Sequence, residues 1–168
     1  VMTALTQLIY DVEWAPLDVL VVDMPPGTGD AQLTLTQRVP LAGAVIVSTP
    51  QDIALIDARK GLAMFKKTHV PIFGIVENMS TFVCPNCNHE SHIFGHGGAR
   101  ETAAKLGTDF LGEIPLHIAI RETSDGGTPI TALDPKSPQA KAFIELAARV
   151  AAKLDAGDTH KAPRITME

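Results

Sequence analysis

The octapeptide Asp23-Met-Pro-Pro-Gly-Thr-Gly-Asp30, directly after the apolar run Val19-Leu20-Val21-Val22, constrains the fold more than any other segment. Four apolar residues ending in an aspartate read as a parallel strand buried on both faces. Such a strand delivers its carboxylate to the C-terminal edge of the sheet, where ligands bind in open α/β folds. Two prolines stiffen the loop that follows, while Gly27 and Gly29 let backbone N–H groups turn toward an anion. A plain strand-to-helix turn with a capping aspartate would use some of the same residues. The whole octapeptide is more specific: a carboxylate for Mg²⁺ beside a loop for a γ-phosphate is what a nucleotide switch requires.

Further apolar runs repeat the pattern. Ala44-Val45-Ile46-Val47-Ser48 and Ile72-Phe73-Gly74-Ile75-Val76 read as continuous buried strands, the second delivering Glu77 and Asn78 to the edge. A shorter strand runs from Phe110 to Ile114 and stops at Pro115. Helices fall between them: a short one from Gln32 to Val39, a long one to about Thr68, and one from Ala99 to Leu106. Asp52 is placed to cap the long helix, with Ile53, Ile56, Leu62 and Phe65 as its core positions. Residues 116–136 read as irregular, with Asp125-Gly-Gly127 and Asp134-Pro135 as turn signals. Ser137 and Pro138 then open a last helix to about Leu154, as N-cap and N1, with Phe143, Ala147, Val150, Ala151 and Leu154 on one face. Alternating strands and helices imply an α/β, doubly wound, mainly parallel sheet.

At the N-terminus, Met2 to Val12 reads as helix, with Leu5, Leu8, Ile9 and Val12 on one stripe and no cap before them. That beginning reads as a piece cut from a longer chain. Residues 1–154 are expected to be part of one domain carrying a metal-binding loop at 79–98, and residues 155–168 a frayed tail. A net charge of −5 without a Lys/Arg cluster gives no reason to expect nucleic acid. No apolar stretch approaches the roughly 20 residues of a membrane helix, and no signal-peptide pattern occurs. The expected location is therefore cytoplasmic.

The stretch from Met79 to Gly98 is too long and polar for an ordinary connection and reads as a functional excursion. It carries both cysteines of the chain, Cys84-Pro-Asn-Cys87, and three of the six histidines. Two thiols on one tight turn suit zinc or an iron–sulfur centre, but either normally takes four ligands. The remaining two can come from a second copy of the chain across a two-fold axis. They can equally come from two of His89, His92 and His96, closing a zinc site within one chain. A thioredoxin-like dithiol is disfavoured, because the pair does not sit at a helix N-terminus following a strand.

DVLVVDMPPGTGD, VSTPQDIALIDARKG, GIVENMS, CPNC, IFGHGG and FLGEIPL occur in that order over residues 18–116, and weaker similarity runs on through RETSDGGTPI. Together they resemble the Mrp/ApbC-type iron–sulfur cluster carriers, a MinD/ParA-like branch of the P-loop NTPases. The resemblance implies an ATP-dependent homodimer that holds a labile cluster and passes it to recipient apoproteins. It implies a [4Fe–4S] cluster bridging two subunits through Cys84 and Cys87. Asp23 matches the aspartate that orients Mg²⁺, and Gly27 the switch-loop glycine facing the γ-phosphate. Asn78 matches the asparagine that reads adenine, and Pro115 falls where the backbone passes the base. By itself Asn78 reads as well as a turn former. A spatial-organising ATPase of the ParA/MinD kind is the alternative within the same fold. It calls for a basic membrane helix or a DNA-facing patch, and neither is evident. A zinc-stabilised domain without catalysis is the other alternative.

One departure stands out. The family's phosphate loop lies N-terminal to these motifs, and no GxxxxGK[ST] occurs in the 168 residues. In this fold the strand feeding that loop sits between the Asp23 strand and the Ala44–Ser48 strand. These residues alone are therefore expected to leave both strands without their shared neighbour, to bind ATP poorly, and to lack ATPase activity that the full-length protein would have.

Overall fold

The computed structural model describes residues 7–24, 27, 29–87 and 89–156. After helical residues 7–10, the order is α1 (Asp30–Arg38), β1 (Ala44–Ser48), α2 (Asp52–Lys67), β2 (Ile72–Val83) and β3 (Glu90–Ser91). It continues with α3 (Gly98–Leu106), β4 (Phe110–Leu116), α4 (Ile118–Asp125), α5 (Ile130–Leu133) and α6 (Pro138–Asp155). β2 is the centre of the sheet, parallel to β1 on one side and to β4 on the other. The two-residue β3 runs antiparallel to the far end of β2, pairing Phe82 with Ser91 and Val83 with Glu90.

Both faces of the parallel strands are covered, which is why their sequences are continuously apolar. On one face Ala44, Ile46 and Ile75 pack with Leu55, Ala58, Leu62 and Phe65 of α2 and Ala99 and Ala103 of α3. On the other, Phe73, Val76, Leu111 and Ile114 meet Phe143, Leu146, Val150 and Leu154 of α6. Each large side chain so buried contributes about 1.5–3 kcal/mol. Phe73 and Ile75 reach opposite faces because β2 slips by one residue at Gly74: Ala44 pairs with Ile72, but Val45 pairs with Gly74. Gly74 has φ +150, and a Cβ there would stand 2.5 Å from the Asp109 carbonyl, so the slip requires glycine.

The helix starting at Pro138 forms as its sequence indicates: Ser137 Oγ accepts from the Ala140 N–H at 3.2 Å. Its inner face, however, uses Ala142 and Leu146, while Ala147 and Ala151 are exposed. Asp52 is the first residue of α2 and not its cap; Gln51 holds that position, with no side-chain cap bond. The buried stripe of α2 is Leu55, Ala58, Leu62, Met64 and Phe65, so Ile53 (72% exposed) and Ile56 point away. Residues 116–136 are helical in two places, α4 and α5. His117 Nδ1 caps α4 by accepting from the Ala119 N–H at 3.1 Å, a role outside the usual Ser/Thr/Asp/Asn signature.

The strand expected at Asp18–Val22 does not form. Residues 18–24 are irregular and Val21 is 86% exposed. Among the described residues β1 pairs with β2 alone, and residues 18–22 do not add to its free edge, the position where the resemblance places a different strand, so they join no ladder. In the expected N-terminal helix only residues 7–10 are described as helical, and Leu8 is exposed; Leu5 and the tail beyond residue 156 lie outside the described residues.

A candidate nucleotide edge and its cysteine arm

The C-terminal ends of the three parallel strands stand side by side. Ser48 of β1 pairs with Glu77 of β2, Glu77 pairs with Glu113 of β4, and Asn78 pairs with Ile114. Asn78 and Pro115, the two residues expected near a base, thus come together at one sheet edge. Asn78 Oδ1 accepts from the N–H of Met79 at 3.0 Å, and Met79 takes a left-handed φ of 56°. Asn78 therefore also makes the turn that its residue type favours. Asp23 and Gly27 are placed differently. Both are exposed on the irregular segment before α1, where Gly27 has φ +99, and Met24 between them packs on the core. The structure does not bring Asp23 to the end of a strand, because that strand is unformed.

At Met79 the ladder between β2 and β4 breaks, to resume only where Phe82 meets Leu116. Ser80 bridges the gap, its Oγ donating to the Ile114 carbonyl at 3.3 Å. A bulge of this kind bends a strand, and beyond the Phe82–Leu116 pair β2 runs on as one limb of an arm. β3 is the returning limb. At its tip the Cys84 N–H donates to the His89 carbonyl at 3.0 Å, closing the turn that holds Cys84, half-buried, and Cys87, exposed. The region expected as a loop is thus a hairpin with the thiols at its end.

The Cys84 thiol is held below its ordinary value, first by the backbone N–H of Asn86, then by the N–H and the thiol of Cys87, against a smaller desolvation effect. Donors aimed at sulfur favour the thiolate, which is the metal-binding form. Alkylation of Cys84 by iodoacetamide is accordingly expected to switch off at lower pH in the folded protein than in the urea-unfolded chain. Mass spectrometry of the modified peptide across a pH series measures this. The stabilisation of the folded state by Cys84 is present at high pH and lost as pH falls through its folded value.

Among the described residues no histidine, aspartate or glutamate joins Cys84 and Cys87 in a three-ligand group. His92 is stacked on His96, ring centroids 4.4 Å apart, and its Nδ1 lies 3.4 Å from Thr81 Oγ1. The zinc site of two cysteines and two histidines within one chain is not assembled. The group with metal-ligand geometry is Glu77, His96 and Glu113, whose ligand atoms lie within 4.8 Å of one another. Its charges are already met: Glu113 pairs with Arg100 at 2.9 Å, and Glu77 accepts from the Gly97 N–H at 3.0 Å and the Ala99 N–H at 2.8 Å. Glu77 is the residue that sequence reasoning placed at the edge without a role. Its partners are backbone groups 20 and 22 residues away, which carry no side-chain signature.

An open, mainly parallel sheet with helices on both faces and a thiol-bearing arm at its C-terminal edge makes this an α/β fold of the P-loop NTPase type. The chain belongs to the NUBPL iron-transfer P-loop NTPase family, whose model matches residues 1–151. It is 58% identical over 153 residues to the iron–sulfur cluster transfer protein NUBPL of Dictyostelium discoideum, covering 91% of this chain and 47% of that protein. It is 56% identical over 151 residues to the iron–sulfur cluster carrier protein of Escherichia coli K12, covering 90% of this chain and 41% of that one. The chain spans about half the length of the curated relatives it matches. Among solved structures, a nucleotide-binding protein of Archaeoglobus fulgidus in complex with ADP superposes with a TM-score of 0.70 at 38% identity, covering 84% of this chain and 57% of that one. The cell-division ATPase MinD of Pyrococcus furiosus superposes with a TM-score of 0.55 at 27% identity, over 73% of this chain and 45% of that one. No helix among the described residues is long and apolar enough to cross a membrane.

Proposed function

We propose that the intact protein is an ATP-dependent iron–sulfur cluster carrier. In this reading a labile [4Fe–4S] cluster is held at a homodimer interface by Cys84 and Cys87 of each chain and handed to recipient apoproteins. The observation that carries it is the arm tip: two thiols on one turn, one of them exposed, with no third ligand grouped with them among the described residues. Four thiolates from two copies complete the site. Two ligands per chain at an exposed position suit a cofactor that is given away, and the relatives' names support the assignment.

Nucleotide enters the same reading at the sheet edge. Asn78 and Pro115, on paired strands, would both contact a base lying against that edge. Asp23 would orient Mg²⁺, and Gly27 would offer its N–H to the γ-phosphate, once the segment that carries them lies along the sheet. ATP hydrolysis belongs to the intact protein, with Asp23 as its metal-side residue. A cytoplasmic location is part of this reading, on the ground that free thiols persist where the compartment is reducing. Neither nucleic acid nor a membrane is among the proposed partners.

Anaerobic reconstitution of the intact protein with iron and sulfide is the direct test. The expected result is an absorbance near about 400 nm from thiolate-bound iron, with one cluster per pair of chains and a dimeric mass. Zinc alone, in a monomer, would show a structural metal domain instead. No metal, with dimerisation on ATP, would favour an ATPase of the spatial-organising kind.

A further inference from the structure

The outgoing limb of the arm bulges from the sheet after Asn78, touches it again where Phe82 pairs with Leu116, and the returning limb ends at Gly97, where Glu77 ties it back to β2. Its side chain is fully buried (0% exposed), with each carboxylate oxygen taking one of the two backbone N–H donors described above. A buried carboxylate is costly without donors. Here the first turn of α3 supplies them, at the positive end of the helix dipole. From this clamp a chain of contacts runs outward along the arm. His96 Nδ1 lies 3.9 Å from Glu77 Oε1, and His92 stacks on His96 and meets Thr81. The pairs Phe82–Ser91 and Val83–Glu90 follow, and Cys84 lies next. In the other direction Glu77 is the chain neighbour of Asn78 and is paired with both flanking strands.

We infer that Glu77 is a positioning residue for the thiol pair: by clamping the returning limb at Gly97 and Ala99, it fixes where Cys84 and Cys87 stand relative to the sheet edge. The consequence for cluster holding rests on the carrier reading; the clamp does not. Glu113 cannot substitute for it, since Arg100 holds that carboxylate on the outside of the neck.

The test uses the intact protein with two variants. Glu77→Gln preserves volume and one acceptor but turns an amide donor toward a backbone N–H. Glu77→Asp preserves the charge and shortens the reach. A nitroxide on Cys87 is paired with one at Lys60→Cys on the exposed side of α2, with Cys84→Ser and any other cysteine replaced. Double electron–electron resonance should give a narrow distance distribution in the parent and a broad one in both variants. In chains that retain Cys84 and are loaded with iron and sulfide, a ferrous chelator should strip the cluster roughly tenfold faster from E77Q, the scale of lost outer-shell support at a metal site.

Circular dichroism establishes that each variant is folded at the working temperature, and E77D decides where E77Q is not. An unchanged distance distribution overturns the proposal whether or not a cluster binds. A broadened distribution with the parental stripping rate overturns it too, because the clamp would then be structural only. A parent that holds no cluster, together with variants that broaden, sinks the carrier reading and leaves the clamp standing.

Discussion

Alanine at both Cys84 and Cys87 is expected to abolish cluster loading of the intact protein while its ATP turnover persists. Among the described residues no other side chain of the chain forms a ligand group with the pair, so the double variant removes every ligand of the proposed site. Replacing Cys87 alone leaves one thiolate per chain and two per dimer, half of what a cluster normally takes, and loading should fail there as well. ATP turnover should survive because Asp23, Gly27, Asn78 and Pro115 all lie outside the hairpin, which begins beyond the bulge at Met79. Iron and sulfide content, absorbance and phosphate release on the same preparations decide the matter. A cluster that persists in the double variant ends the carrier reading; turnover that collapses with it shows that the arm is needed for the nucleotide step.

Different physical signals explain which parts of this molecule were legible in its sequence. Ala44–Ser48 and Ile72–Val76 were readable because a parallel strand covered on both faces needs continuous apolar residues, and the start of α6 because Ser137 and Pro138 satisfy local backbone geometry. The buried face of α2 was readable only in its second half, where Leu62 and Phe65 are buried as expected. At its start Ile53 and Ile56 offer one apolar edge and Leu55 and Ala58 another, and only packing against the sheet selects the second. The outward run of β2 was hidden for a similar reason. Glu77, Asn78, Ser80 and Thr81 look like loop residues, and they lie in a strand because Glu77 finds backbone donors far along the chain and the arm finds β3. At the site, the cysteine pair stood out by its spacing, whereas Asn78 and Pro115 were singled out by the resemblance alone, and the structure sets them on neighbouring strands. That among the described residues no histidine joins the cysteine pair was not readable, since spacing permits what the stacking of His92 on His96 diverts. Asp18–Val22 has the right pattern for a strand and no ladder to join, so pattern and structure part company there.

A chain made of these 168 residues alone is expected to melt without a cooperative transition, to bind apolar dyes and self-associate, and to bind ATP weakly. The exposed apolar surface is the reason. Val19, Leu20, Val21 and Val22 are all exposed, as is Val47 on β1, whose outer edge has no partner among the described residues. Leaving such side chains in water forfeits about 1.5–3 kcal/mol each. Four or five of them together match the whole stability of an ordinary domain, about 5–15 kcal/mol. The unpaired edge adds backbone donors and acceptors that template association with other chains. Nucleotide affinity suffers separately, for the 168 residues contain no lysine-bearing phosphate loop and keep only the proposed base-side residues Asn78 and Pro115. Calorimetric melting, dye binding and ATP titration of this chain beside a protein of its relatives' length measure all of this. A sharp two-state transition with micromolar ATP binding from the 168 residues alone would mean that the run Val19–Val22 finds burial in solution, and the proposed placement of Asp23 and Gly27 would have to be rebuilt from that packing.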